Sequence, residues 1–190
     1  MKIELKIVEL LAKNMEKRFT MNEIAKALKE YYSFVHRIIN RLAEDGVIIK
    51  NKAGKSYLCS FNIGNEKSLA LMQLAEIEKK EELNKELRLI LEDFAKSAEY
   101  AVSIILFGSY AKGMATKESD IDVLLISKGK EGIDKIAKEI YAKYGKEINV
   151  VVMTPDEFKK QREKAIIKEI ISSHYVIYGA ENFVNLVFKK

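Results

Sequence analysis

The sequence predicts an α/β (α+β) protein with a mixed sheet. It has two parts, which differ in the spacing of their apolar residues. In the first part, apolar residues recur at helical spacing and then give way to two short strands. From Ala101 onward, short apolar strands alternate with helical stretches, which predicts a mixed sheet flanked by helices. We therefore predict one domain over residues 1–62, a helical linker over 63–98 and a second domain over 99–190.

The charge distribution separates the same two parts. The chain of 190 residues has a net charge of +5, and residues 1–60 hold 12 Lys and Arg against 7 Asp and Glu. The remaining residues hold 21 of each kind and are balanced. An excess of positive charge that is confined to one domain favours an anionic partner for that domain, and nucleic acid is the first candidate.

Composition excludes several classes of protein. With 48% hydrophobic and 32% charged residues, the chain is too apolar for a disordered segment and too charged for a membrane protein. Its first residues mix acids and bases, unlike a signal peptide, and no apolar run is long enough to span a membrane. A single cysteine, Cys59, excludes an internal disulfide. We expect a cytoplasmic protein with no membrane partner.

The first part reads as three helices followed by a hairpin. Thr20 is an N-cap candidate because Glu23 follows three residues later, the spacing of a capping box. Ser33 is the predicted cap of a third helix. The inner face of that helix is predicted to consist of apolar residues at helical spacing, namely Val35, Ile38, Ile39 and Leu42. Residues 47–49 and 57–59 form the predicted strands.

Three helices and a basic hairpin in this order resemble the winged helix-turn-helix domain of transcriptional regulators. The resemblance implies that the third helix enters a DNA groove and that the hairpin contacts the DNA backbone. The residues that it assigns to DNA are His36, Arg37, Asn40, Arg41, Lys50, Lys52 and Lys55. The alternative is that these are ordinary solvated side chains of a helical module that binds protein. The linker could also supply a face for a homodimer.

The segment after Ala101 carries the residues suited to chemistry. An apolar strand runs to Phe107 and is broken by Gly108 and Ser109, whose free N–H groups and hydroxyl suit phosphate oxygens. Asp120 and Asp122 then open a second apolar strand, and their spacing places both carboxylates on one face. Carboxylates arranged in this way bind divalent cations in enzymes of phosphoryl and nucleotidyl transfer.

These two stretches together resemble the polymerase-beta-like nucleotidyltransferases, and in particular the minimal members similar to kanamycin nucleotidyltransferase. The resemblance covers residues 86–155, and it implies an NTP as substrate or ligand. Gly108 and Ser109 would hold its triphosphate, with Lys112 where relatives usually carry arginine. Asp120 and Asp122 would be the catalytic ligands of Mg²⁺, with two ions bound in an active enzyme.

The third predicted strand departs from the family pattern. Relatives carry a further carboxylate before the valine-rich run, and this chain has Asn149 there. An amide lacks the negative charge that anchors a catalytic metal. Glu147, one strand repeat earlier, is the alternative third ligand. Without it, the two aspartates could still bind magnesium and nucleotide with little turnover.

Three functions follow from these patterns. The first is a Mg²⁺-dependent transferase that moves NMP from an NTP to an unknown hydroxyl acceptor, coupled to a DNA-binding domain. The second is a DNA-binding regulator whose nucleotidyltransferase domain is weak or inactive. The third, which follows from the family resemblance, is an antitoxin-like nucleotidyltransferase with a helical toxin-like protein partner. We also expect one helix over residues 158–171 and a structural rather than catalytic role for His174.

Overall fold

The computed structural model describes residues 1–129 and 132–189, which form two compact units, Met1–Ala75 and Glu76–Lys190. The division falls inside a helix, within the stretch that the sequence assigns to a linker. The predicted boundaries after residues 62 and 98 stay a prediction. The mixed α/β fold class is confirmed. In the described ranges, no helix is both long and apolar enough to cross a membrane.

The first unit consists of helices beside a small antiparallel sheet. Its helices are α1 (Ile3–Lys13), α2 (Met21–Leu28), α3 (Tyr32–Glu44) and the start of α4 (Glu66–Lys80), and its strands are β1 (Phe19–Thr20), β2 (Ile48–Ala53) and β3 (Ser56–Phe61). The strands lie in the order β1-β3-β2. β2 and β3 form the predicted hairpin, with Gly54 in the left-handed conformation at its turn.

In the first unit, the predicted start of α2 is confirmed, and so is the predicted inner face of α3, but not its predicted cap. Thr20 and Glu23 form the predicted capping box at the start of α2. The predicted inner face of α3 is buried. The Ser33 cap is wrong, because α3 begins at Tyr32 and its N-cap residue, Tyr31, makes no side-chain capping hydrogen bond. Cys59 is buried in β3, and burial raises the pKa of its thiol to about 11.

The second unit is a mixed sheet with helices on both faces. Its strands are β4 (Ala101–Phe107), β5 (Ile121–Ser127), β6 (Ile148–Met153) and β7 (Tyr175–Tyr178), in the order β6-β5-β4-β7. β5 runs antiparallel to β4 and parallel to β6, and β4 runs antiparallel to β7. Its helices are α5 (Lys85–Ser97), α6 (Gly108–Ala111), α7 (Ile133–Tyr144), α8 (Pro155–Gln161), α9 (Ala165–Ser172) and α10 (Ala180–Phe188).

Side chains alternate between the two faces of the sheet along β4 and β5, so the core of the second unit has one part on each face. Ile104 and Leu106 of β4 and Val123 and Leu125 of β5 pack with α5 and α7 on one face of the sheet. On the strands, the residues between these point to the opposite face. Helix α8 contacts β5, and α10 contacts β4. The predicted single helix over 158–171 is wrong, because α8 ends at Gln161 and α9 begins at Ala165.

His174 lies inside the second unit, as expected for a structural residue. It is 2% exposed, and its Nδ1 lies 3.0 Å from the carbonyl oxygen of Ile170 and 2.9 Å from that of Ile171. Its Nε2 lies 3.2 Å from Oε1 of the buried Glu76. The ring therefore joins the end of α9 to α4, and both of its nitrogens have structural partners.

Asp93 joins α5 to α7 on the surface of the second unit. Lys143 Nζ donates to Asp93 Oδ2 over 2.6 Å, and the Tyr144 hydroxyl donates to the same oxygen. These bonds, the one from Lys143 first, lower the pKa of the Asp93 carboxyl from 3.8 to about 2. Because the folded pKa lies below the unfolded value, the carboxylate stabilises the fold above 3.8 and loses this effect as the pH falls toward 2.

We expect Asp93→Asn to lower the midpoint of thermal unfolding by a few degrees at about pH 7, since it removes the charged acceptor of Lys143. The gap between wild type and variant should close as the pH approaches about 2. Circular dichroism melts across this range measure it. Glu118→Gln, on an exposed loop, controls for the loss of one negative charge. A gap that stays constant with pH contradicts the assignment.

Candidate functional site

Gly108 ends β4 and lies directly against Asp122 of β5. Its backbone is left-handed, with φ of +71°, and a Cβ at this position would lie 2.0 Å from Asp122 Oδ2. Phe107 is the ladder partner of Asp122, so the end of one strand meets the start of the other. Only glycine fits here, both because of its φ and because the carboxylate occupies the space of a side chain.

Ser109 lies in the one-turn helix α6, next to this contact. Its carbonyl oxygen accepts a hydrogen bond from the Met114 N–H over 2.9 Å. Further along the loop, the Thr116 N–H donates to the Ser119 hydroxyl over 2.9 Å. These bonds fold the loop between α6 and β5 back on itself, and Ser109 directly follows the glycine that lies against Asp122.

Asp120, Asp122 and Asn149 meet at one edge of the sheet. Asp122 is the parallel ladder partner of Asn149, and Asn149 Nδ2 donates to Asp120 Oδ2 over 3.4 Å. Asp120 and Asn149 are exposed and Asp122 is half-buried. The structure therefore brings together two carboxylates and one amide, with Gly108 against one of the carboxylates.

Glu147 has a different environment. Its carbonyl oxygen accepts the Ile121 N–H over 2.9 Å, which continues the ladder between β5 and β6. Together with Asp134, Lys138 and Tyr141 of α7, it lines a cavity beside that helix. Within residues 1–129 and 132–189, no three His, Cys, Asp or Glu side chains come together to hold a metal ion, and this includes Glu147 with the two aspartates.

Lys112 follows α6 and forms an ion pair with Glu169 of α9. Next to it, the Ser173 hydroxyl donates to the Ala111 carbonyl oxygen over 3.1 Å. These two contacts attach the α6 turn to α9. Sequence reasoning missed Glu169 and Ser173, because they lie 57 and 62 residues from their partners and belong to no local motif.

The residues that the sequence assigns to DNA lie on α3 and the hairpin of the first unit. Asn40 accepts a hydrogen bond from Lys50 Nζ over 2.6 Å, and its Nδ2 lies 3.3 Å from His36 Nδ1. Arg37 lies over the Phe34 ring, 5.6 Å from its centre. Three of the seven therefore form one polar cluster across α3 and β2.

The other residues of the set are more scattered. Arg41 pairs with Glu4 of α1 over 2.7 Å, so this cation is partly neutralised. Lys52 is exposed on β2, opposite Tyr57, and Lys55 is exposed after the hairpin turn.

The family that matches this chain does so within the second unit. Residues 84–174 match the family described as "Nucleotidyltransferase domain". No solved structure matches the chain.

Three relatives from Methanocaldococcus jannaschii carry the name "Putative protein adenylyltransferase". MJ1305 is 34% identical over 46% of this chain and 65% of its own length, and MJ0604 is 36% identical over 40% of this chain and 76% of its own length. MJ0141 is 34% identical over 58% of this chain and 99% of its own length. This chain therefore spans less than two thirds of MJ1305 but nearly all of MJ0141. The match with MJ0141 shows that the chain belongs to the nucleotidyltransferase domain family.

Proposed function

We propose that this protein transfers a nucleoside monophosphate, with AMP as the first candidate, from an NTP to a hydroxyl group of a protein acceptor. The observation that carries the proposal is the contact of Asp122 with Gly108, beside Asp120 and Ser109. Membership of the nucleotidyltransferase domain family supports the prediction of an enzyme of the transferase class. The names of the relatives supply the choice of ATP and of a protein acceptor.

The bonds that form and break in this reaction indicate what Ser109 and Lys112 would do. The acceptor oxygen forms a bond to the α-phosphorus, the bond from that phosphorus to pyrophosphate breaks, and the hydroxyl proton passes to solvent. Ser109 and the N–H groups of its turn would bind phosphate oxygens. Lys112, held by Glu169, would supply positive charge near the leaving pyrophosphate.

Asp120 and Asp122 are the residues that would hold a divalent cation. Both offer carboxylate oxygens, the ligands that Mg²⁺ prefers, and Asn149 can offer an amide oxygen if its side chain turns over. A divalent cation held by these residues would neutralise phosphate charge and, where it also coordinates the acceptor hydroxyl, would make that hydroxyl a better nucleophile. Since Glu147 does not join the aspartates, this donor set fits one cation rather than two.

We expect Asp120→Asn to reduce label transfer from α-labelled ATP in the presence of Mg²⁺ by about 100-fold or more. The measurement uses each α-labelled NTP with the protein alone and with candidate protein acceptors, and calorimetry with Mg²⁺ and ATP provides a second readout. Glu118→Gln removes a neighbouring charge from the same loop and should behave as wild type. The absence of both labelled product and nucleotide binding, or an Asp120→Asn variant that equals wild type, contradicts the proposal.

Asn149→Asp tests the number of cations, because it places a third carboxylate opposite Asp122. We expect the wild type to bind one Mn²⁺ per chain with a non-hydrolysable ATP analogue and the variant to bind two. Electron paramagnetic resonance of free Mn²⁺ measures the stoichiometry without any turnover. Asn149→Ala, which removes the amide and adds no charge, should stay at one. Two ions in the wild type, or one in Asn149→Asp, would show that Asn149 does not set the number.

A second proposal concerns the first unit, which we infer to be a winged helix that binds DNA. The arrangement β1-β3-β2 beside three helices and the cluster of His36, Asn40 and Lys50 support it. A regulator with a weak transferase domain, an antitoxin with a helical partner, and a homodimer remain compatible with it.

We expect the affinity for duplex DNA to fall linearly on a log-log plot against salt concentration. Arg37→Ala should weaken binding and reduce the slope by about one, because it removes one phosphate contact. Fluorescence anisotropy over a salt series measures both effects. Lys160→Ala in the second unit is the matched control and should leave the slope unchanged. Binding that is independent of salt, or no binding, contradicts the proposal.

A further inference from the structure

The first unit contains an open cavity where the start of α3 faces the tip of the β2–β3 hairpin. It encloses about 310 Å³. The residues that line it include Asn22, Tyr32, His36, Lys55, Ser56 and Tyr57. Among the lining residues in the described part of the chain, none is acidic. The cavity thus combines aromatic rings, a cation and small polar groups.

The tyrosine rings at this cavity are about half exposed. Tyr32 is 52% and Tyr57 is 44% exposed, and neither belongs to the buried core. The His36 ring lies 5.7 Å from the Tyr32 ring, measured between centres. A single exposed ring is ordinary in a protein, but rings gathered at one concave site indicate a surface that binds a flat, partly apolar group.

Positive charge accompanies these rings. Lys50 Nζ lies 4.9 Å from the centre of the Tyr57 ring, and Lys55 lies at the cavity itself. These two lysines belong to a unit that carries the whole net positive charge of the chain. Aromatic rings interleaved with lysines favour a ligand that is both flat and anionic, which is the chemistry of a nucleotide within a strand.

We propose that this cavity takes an unpaired base of single-stranded nucleic acid, stacked on Tyr32 or Tyr57, with the adjoining phosphates bound by Lys50 and Lys55. The inference rests on the proposal that the first unit binds nucleic acid, and it adds a single strand, bound at this cavity, to the duplex proposed for α3 and the hairpin.

The exposed rings distinguish a single strand from a duplex. In a duplex, each base is covered on both faces by its neighbours, so tyrosine rings of the protein find no free face on which to stack. Bases of a single strand expose their faces, and every base has one, so stacking tolerates many sequences. The Asn22 amide and the Ser56 hydroxyl add donors and acceptors that suit the edge of a base. The cavity therefore fits an unpaired base better than it fits a duplex.

The test measures fluorescence anisotropy with labelled oligothymidine of about 12 nucleotides and with a duplex of the same length. The full chain should bind the single strand more tightly than the duplex, and Tyr32→Ala should weaken single-strand binding by about tenfold or more. Tyr32→Phe keeps the ring and should bind the single strand as tightly as wild type. Tyr31→Ala, which removes an 84% exposed ring that is not among the lining residues, is the matched control.

The outcomes separate this inference from the proposal on which it rests. Binding of oligothymidine that depends on Tyr32 supports the inference. Duplex binding at equal or higher affinity that is unaffected by Tyr32→Ala overturns the inference and leaves DNA binding intact. No binding to either form overturns both. Circular dichroism of each variant confirms that a loss of binding is not a loss of fold.

Discussion

The contact between Gly108 and Asp122 is the constraint on which the rest of the site depends. Between β4 and α6 the chain turns sharply at Gly108, which adopts the left-handed conformation that glycine tolerates best. The same missing side chain leaves the space that the Asp122 carboxylate occupies. One residue therefore sets both the direction of α6 and the position of an acid. Asp122 is also the ladder partner of Asn149 on β6, and the hydrogen bond from Ser173 to the Ala111 carbonyl oxygen attaches α9 to α6.

Much of this arrangement could be predicted from the sequence, because its signals are local. The run Ala101–Phe107, bounded by Gly108, predicts β4, and the apolar run after Asp120 predicts β5. What sequence reasoning could not supply is the set of partners that the folded sheet and helices create. Asn149 meets Asp120 only because β6 lies parallel to β5, and Glu169 meets Lys112 only because α9 packs beside α6.

Two predictions were wrong for related reasons. Ser33 is a good N-cap residue, yet the N-cap of α3 lies two residues earlier, at Tyr31, which is extended and makes no side-chain capping hydrogen bond. Residues 158–171 contain no glycine or proline that would indicate a break in the helix, yet α8 ends at Gln161. Helices α8 and α9 then bury Phe158 and Ile167 separately. In both places, local propensity is a weak determinant of where a helix begins or ends, because so few residues decide it.

The charge balance of the two units explains why they would attract ligands by different means. A net positive first unit would attract nucleic acid by its overall field, which acts over about 8 Å at physiological salt. The remaining residues are neutral overall, so a triphosphate gains nothing from their long-range charge and must be bound by local groups. Asp120 and Asp122 by themselves would repel it, and the positive charge of Lys112 is partly offset by Glu169. A cation bound together with the nucleotide would therefore add to the charge of Lys112 and make this edge of the sheet attractive to a nucleotide.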